Sequence, residues 1–340
     1  MLEAFGTMVV AKRPVSDPAP HEAMVRTIAT GICGSDLHGF TGHNGRRFPG
    51  QVMGHESVGR VVGYGSEVDP RTVPQLGAAV TFNPTISCGA CPACDSDLAQ
   101  ICLSRQVIGV NEEISAAFAE YVTVPATNLV ALPQNMPAHH GALVEPLAVG
   151  YHAGIRGGVH GGSTVLVIGA GPIGQAAILA AQRLGAARVL VSEPAQSRRQ
   201  LSTALGAELL PTGDQVDAAL ELTEGLGVDV VIDAVGYSKT LDTSLRSVRR
   251  GGVVVLVGMG SPSIELEAFR ISTDERSVVG AFCYSTLEFE QTVEWAATVP
   301  DQLETLISTR VPLHEGPGAF RRLADGKSDE SKVLVIFHND

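Results

Sequence analysis

No stretch of the chain stays apolar long enough to cross a bilayer, since the best candidate, Val165 to Ala181, is broken by Gly169, Gly171, Pro172 and Gly174. A basic-then-apolar leader is also missing from the N-terminus, so the expectation is a cytoplasmic protein. Positive charge is scarce: 24 Lys and Arg stand against 36 Asp and Glu, a net charge of −12 with no long like-charge block. That excludes nucleic acid and anionic membrane as the main partners. Cysteine is scarce as well. Four of the six crowd between Cys88 and Cys102, which is no disulfide framework for a chain of 340 residues and suits a reducing compartment. No internal repeat is visible.

A chain of this length exceeds what one hydrophobic core fills, and 44% apolar residues are ample for two domains. The first part is rich in β-signals. Met24 to Ile28, Ser57 to Tyr64 and Ala78 to Phe82 read as strands between Gly and Pro turns, Lys12 to Glu22 reads as a surface loop, and apolar alternation returns from Phe118 to Val124. This predicts a sheet or small barrel. Near Tyr151 the pattern changes to alternating strands and helices: Thr164 to Ile168, Ile173 to Leu184, Arg188 to Val191, Gln196 to Leu205, Val228 to Ala234, Thr240 to Val248 and Val253 to Val257. An α/β domain with a doubly wound parallel sheet is the expectation. Leu287 to Ala297 and Gly318 to Ala324 read as helices, and Lys332 to Phe337 as a closing strand.

Two clusters have the residue types of metal sites. Cys88, Cys91, Cys94 and Cys102 offer four thiolates from one loop, enough for a closed tetrahedral Zn²⁺ with a structural role; free or paired cysteines are the alternative, although such spacing would strain a disulfide. Cys33, His55, Glu56 and Glu145 come from separate places and leave room for a further partner, as a catalytic metal needs. One thiolate, one neutral imidazole and one carboxylate would neutralise Zn²⁺, whereas both glutamates together would make it anionic and weaken its Lewis acidity. One glutamate is therefore expected to bind at a time, or one to act from behind the other.

Gly169, Gly171, Pro172, Ile173 and Gly174 follow an apolar strand and open a helix, the context of a dinucleotide-binding turn. Glu193, at the end of the next strand, is placed to accept the ribose 2′-OH and repel a 2′-phosphate, which favours NAD over NADP. Arg198 and Arg199 lie close by. A guanidinium there could serve a 2′-phosphate, or else stack on adenine or face solvent. Of the ten histidines, His139, His140, His160, His314 and His338 read as surface residues without a partner, and His43 sits in a loop able to approach the metal. Cys283 reads as a buried small hydrophobe.

Together these motifs resemble the zinc-dependent medium-chain alcohol dehydrogenase family along nearly the whole chain: Gly31 to His38, Gly54-His55-Glu56, the four-cysteine lobe, Val144-Glu145-Pro146-Leu147 and the Gly169 to Gly174 turn. Having Glu56 and Glu145 in place of a second active-site cysteine resembles the polyol, butanediol and threonine dehydrogenase branch. The resemblance implies a GroES-like β-barrel catalytic domain over 1–150, completed by 287–340, and a Rossmann domain over 151–286, with the active site in a cleft between them. It also implies a proton relay through Ser35 and His38, support of that loop by Asp36, and a nicotinamide end held by Ala234, Val235, Val257, Gly258 and Met259. A homotetramer, or else a dimer, is implied too, with Val253 to Val257 as a candidate dimer edge. The implied reaction is reversible oxidation of a secondary alcohol, a small polyol, diol, sugar alcohol or cyclitol, with hydride transfer to NAD and two zinc ions per subunit. The chain lacks an arginine across Ala281 to Thr286, where sorbitol-type members carry one. Arg46 and Arg47, in the loop before His55, read as solvated loop residues, or else could select a polar or anionic substrate. A threonine-type amino-alcohol dehydrogenase is the nearest alternative, and a non-catalytic NAD-binding redox sensor with structural zinc is the alternative from another class.

Overall fold

The computed structural model describes every residue except Asn44, Arg46, Ser115, Lys327, Asn339 and Asp340. The candidate selector Arg46 thus lies outside the described residues. The first segment carries strand β1 (Glu22–Gly31), helix α1 (Gly34–Phe40) and strands β2 (Glu56–Tyr64), β3 (Ala79–Phe82), β4 (Tyr121–Pro125) and β5 (Leu129–Ala131). Helix α2 (Val144–Arg156) follows, and the chain then alternates: β6 (Thr164–Ile168), α3 (Pro172–Arg183), β7 (Arg188–Ser192), α4 (Gln196–Ala204), β8 (Glu208–Leu209), α5 (Gln215–Glu221), β9 (Val228–Asp233), α6 (Ser238–Ser247), β10 (Val248–Leu256) and β11 (Ser277–Gly280). The last segment holds α7 (Thr286–Ala296), α8 (Pro300–Leu306), β12 (Ile307–Pro312), α9 (Gly316–Ala324) and β13 (Lys332–Ile336).

Two compact units result, Met1–Glu145 with Ser285–Asp340, and Pro146–Tyr284. In the first, a seven-stranded sheet runs β12-β13-β1-β2-β3-β5, with β4 also paired to β1. β1 organises it. Along one side it pairs with β2, and the other side is divided, Glu22 to Arg26 facing β4 and Ala29 to Gly31 facing β13. Register shifts between Met24 and Val25 and between Thr27 and Ala29 bend the strand so that it can serve both partners. Val25, Val61, Val80, Phe82 and Val122 pack in one core, and Phe40 and Phe118 close on Phe320 at ring separations of 5.8 and 5.2 Å in another.

In the second unit six strands, all parallel, run β8-β7-β6-β9-β10-β11. Such a sheet is covered on both faces, which is why Val165 to Ile168 and Val230 to Ile232 read as unbroken apolar runs. Leu166, Val231 and Val254 are fully buried in it, each contributing about 1.5–3 kcal/mol. The expected dimer edge is not an edge: Val253 to Leu256 lie in β10, which pairs with β9 on one side and β11 on the other, and Val257 follows the end of the strand. β11 and the two-residue β8 are the edges. Among the described residues, no helix is long and apolar enough to cross a membrane.

Candidate functional site

The register of three strands builds the site in the first unit. Gly31 on β1 lies opposite Glu56 on β2 and opposite Leu334 on β13, so the chain just after Gly31, the start of β2 and the start of β13 converge. Gly31 is required by this approach, because a Cβ there would sit 2.2 Å from Glu56 Oε2. Cys33 then caps the N-terminus of α1, and Asp36 Oδ2 accepts the Cys33 N–H at 3.3 Å. The ligand atoms of Cys33, His55 and Glu56 lie within 4.8 Å of one another. Glu145, in the first turn of α2, is buried and close enough to act electrostatically on His55.

Glu56 is fully buried, and its two oxygens have different surroundings. Oε2 accepts from Lys332 Nζ at 2.5 Å, whereas Oε1 has no hydrogen-bond partner among the described residues. Lys332 is itself buried; burial works against its charge, but the Glu56 carboxylate and the Cys33 sulfur outweigh that and raise its pKa. Asp36 is buried between Arg47 at 3.4 Å and His55 Nδ1 at 3.7 Å. Burial likewise opposes a charged imidazole at His55, yet Asp36 and then Cys33 raise it from 6.5 to about 10.

These groups fit a divalent cation. The fixed cations Arg47 and Lys332 face Asp36 and Glu56 respectively, which leaves Cys33, His55 and the second oxygen of Glu56 grouped around one point. An unpartnered, buried carboxylate oxygen beside a sulfur and an imidazole offers such an ion borderline ligands of the zinc type.

Sequence reasoning missed Lys332, which reads merely as the first residue of an apolar strand; a lysine opening a run as apolar as Val333 to Ile336 was the available signal. Arg47 is corrected. It is buried, 2% exposed, and holds Asp36 and Ser35 Oγ, the latter at 3.5 Å, so it is neither solvated nor available to select substrate. Ser35 is half-buried, and His38, one turn further on α1, is exposed. His43 is exposed and hydrogen-bonded to Thr41. Cys283 is half-buried with φ at +51°, not a core residue. His140 is buried, and both it and His139 contact Glu304, so the surface reading of these two fails.

The four-cysteine loop forms a second cluster in the same unit. All four sulfurs lie within 4.8 Å of one another, with Cys88 to Cys94 at 3.9 Å, Cys91 to Cys94 at 3.6 Å and Cys88 to Cys102 at 3.6 Å. A tetrahedron of sulfurs about 2.3 Å from Zn²⁺ has edges of about 3.8 Å, so the spacing fits that ion, and no disulfide competes. Asp97, beyond Cys94, receives the backbone N–H groups of Thr286 and Leu287 at 3.1 Å each and so ties the loop to the start of α7.

In the second unit the glycine turn joins β6 to α3. A Cβ at Gly174 would meet Gly169 O at 1.8 Å, so helix and strand pack too closely for a side chain, whereas Gly171 has open space over it. Open backbone at a helix N-terminus is a cradle for phosphate, with Pro172 and Ile173 opening the helix behind it. Glu193 is buried; Oε2 accepts from Ala170 N at 2.7 Å and Oε1 from Ala195 N at 2.8 Å, which fixes the carboxylate beside the turn. Arg199 donates to the carbonyls of Glu193 and Leu210, and Arg198 is half-buried. Asp233 collects Val235 N, Gly236 N and the Thr240 hydroxyl, while its carbonyl takes Val257 N and Gly258 N. The Ala234-Val235 and Val257-Gly258-Met259 loops are thereby knitted together.

Comparison with known proteins agrees with this architecture. The family model described as "Alcohol dehydrogenase GroES-like domain" matches residues 19–134, and "Zinc-binding dehydrogenase" matches residues 172–298. A sorbitol dehydrogenase of Bacillus subtilis is 31% identical over 329 residues, covering 95% of this chain and 92% of the relative. An L-threonine 3-dehydrogenase of Thermococcus kodakarensis is 36% identical over 262 residues, 75% of this chain and 73% of the relative. A solved structure from Sinorhizobium meliloti 1021, described as a zinc-binding dehydrogenase bound to NADP, superposes with a TM-score of 0.89 at 34% identity, covering 99% of this chain and 98% of that one.

Proposed function

The chain belongs to the zinc-dependent medium-chain alcohol dehydrogenase family, and from that premise we propose that it oxidises a secondary alcohol of a small polyol, diol, sugar alcohol or cyclitol to the ketone, reversibly, with NAD as hydride acceptor. The observation that carries the reading is the cluster of half-buried Cys33 with buried His55 and Glu56, in which one Glu56 oxygen has no hydrogen-bond partner among the described residues. Cys33, His55 and Glu56 hold one zinc, with Glu145 as the alternate or supporting carboxylate, and Cys88, Cys91, Cys94 and Cys102 hold a second, structural one. When bound, the catalytic zinc supplies a Lewis acid for the alcohol oxygen and the nicotinamide ring an acceptor for hydride.

The protein's own groups do the rest. Lys332 holds one oxygen of Glu56, which turns the other toward Cys33 and His55 and cancels one of the carboxylate charges that would blunt Lewis acidity. Asp36, fixed by Arg47, orients His55 through Nδ1. Half-buried Ser35 and exposed His38, one turn apart on α1, move the hydroxyl proton outward to solvent. The glutamate not bound to metal is an acceptor for a neighbouring hydroxyl of the substrate.

At the cofactor, Gly169 to Gly174 take the pyrophosphate, and Ala234, Val235, Val257, Gly258 and Met259 border the nicotinamide end. Each Glu193 oxygen uses one acceptor site on backbone N–H, so the carboxylate keeps capacity for ribose hydroxyls and a charge that opposes a 2′-phosphate. Arg198 serves the adenosine end. The subunits form a homotetramer or a dimer. A second reading, oxidation of a β-hydroxy amino acid, is favoured by the 36% identity to an L-threonine 3-dehydrogenase.

NADH formation by the zinc-replete protein over sugar alcohols, diols, cyclitols and β-hydroxy amino acids, with NADP run in parallel, tests both. Turnover of polyols or diols supports the first reading; turnover of the amino alcohols alone transfers the proposal to the second. Silence with every substrate and both cofactors removes both and leaves the redox-sensor alternative.

A further inference from the structure

His139 and His140 lie on the 3₁₀ turn Ala138–Leu143, which runs directly into α2, the helix whose first turn carries Glu145. His139 Nε2 and His140 Nε2 are both 3.1 Å from the same oxygen, Glu304 Oε2, on α8. The two imidazoles meet nearly edge to face, ring centroids 4.5 Å apart. Arg310, on β12, places one nitrogen 2.7 Å from both Glu304 oxygens and 3.0 Å from His139 Nε2.

Hydrogens cannot be distributed over these atoms to satisfy every contact. A guanidinium only donates, so His139 Nε2 must offer it a lone pair; that lone pair then meets a carboxylate oxygen at 3.1 Å with no hydrogen between them. With the hydrogen on Nε2 instead, two donors face each other at 3.0 Å. A cation among the three ligand atoms removes the conflict. We propose that His139 Nε2, His140 Nε2 and the Glu304 carboxylate form a third cation site, separate from both cysteine clusters, that takes a divalent transition ion of the zinc type.

The spacing suits such an ion. Ligands about 2.05–2.1 Å from a metal stand about 2.9 Å apart at a right angle and about 3.4 Å apart at the tetrahedral angle, and 3.1 Å falls between. All three ligand atoms lie within 4.8 Å of one another. Two imidazoles and one carboxylate suit Zn²⁺, Ni²⁺ or Co²⁺ and are poor partners for Ca²⁺ or Mg²⁺, which take oxygen. The Glu304 and His139 side chains are 51% and 32% exposed, so water can enter to complete the coordination. Arg310 occupies the carboxylate when metal is scarce, and its own exposed side chain can swing away. The bound ion links α8 to the turn that precedes Glu145.

The test is zinc uptake by the holoenzyme, first dialysed against zinc-free buffer and then equilibrated with increasing ZnCl₂. It is run on the wild type and on His139→Ala, Glu304→Gln and Arg310→Gln, with metal counted per chain. The expected result is one further equivalent in the wild type, none in either ligand variant, and saturation of Arg310→Gln at lower zinc. Equal uptake by the wild type and both ligand variants, or no tightening in Arg310→Gln, would overturn the proposal. Because uptake is counted as a difference from the dialysed protein, failure here is distinct from failure of the catalytic-zinc reading. If a variant does not fold, Co²⁺ loading of the wild type decides: an added equivalent without further thiolate-to-cobalt absorption supports the site, and one that deepens that absorption, or no added equivalent, contradicts it.

Discussion

Cys88, Cys91, Cys94 and Cys102 come from a single loop whose outer cysteines are 14 positions apart, while Glu56 and Lys332 are 276 positions apart. The loop offers only like ligands, spaced as the edges of a tetrahedron, and no second element has to arrive for it to close. The other cluster exists only once β1, β2 and β13 are in register, and it mixes a sulfur, an imidazole and carboxylates with the counter-charges Arg47 and Lys332. A local, uniform site is suited to ordering a loop. A distributed, charge-balanced site is suited to holding a metal whose remaining charge acts on a substrate.

The contrast can be broken from the catalytic side first. Cys33→Ser is expected to lower turnover about a thousandfold, the loss of several kcal/mol of transition-state stabilisation, with the fold and NAD binding retained; steady-state rates and NADH fluorescence check it. Lys332→Met leaves Glu56 as an uncompensated buried charge, so the metal-free protein should lose about 3–5 kcal/mol and the zinc-loaded protein less, read by denaturant titration of both forms. Equal losses would mean that metal and ammonium do not share the carboxylate. Cys91→Ser should act in the opposite sense to Cys33→Ser, lowering the thermal midpoint by about 4 °C for a loss of about 2 kcal/mol while the freshly folded enzyme keeps its turnover. Smallest is Glu193→Ala, which should reduce the preference for NAD over NADP by about tenfold in kcat/KM; an unchanged ratio would remove Glu193 from the 2′-OH.

The same contrast explains what could be read from the chain. The cysteine loop is legible because its spacing is its geometry, and β6 through α4 are legible because apolar periodicity and the Gly169 to Gly174 turn are local signals. Cys33, His55, Glu56 and Glu145 were visible as residue types. Lys332 was not, because only the pairing of β13 with β1 brings it to Glu56, and nothing in the sequence near either residue announces the other. Arg47 misled for the same reason: a loop arginine reads as solvated until Asp36, on a neighbouring helix, is seen to bury it. Val253 to Val257 misled because a strand carries no mark of its neighbours, and β11, which covers it, is short and half-exposed. His139 and His140 read as surface residues since their partner, Glu304, is 164 positions from His140.

The most direct test of the account is the number of zinc ions per chain after dialysis against metal-free buffer, with turnover measured on the same preparations of wild type, Cys33→Ser and Cys91→Ser. The account predicts two in the wild type and one in each variant, with turnover lost only in Cys33→Ser. One zinc in the wild type, undiminished by Cys33→Ser, would contradict it.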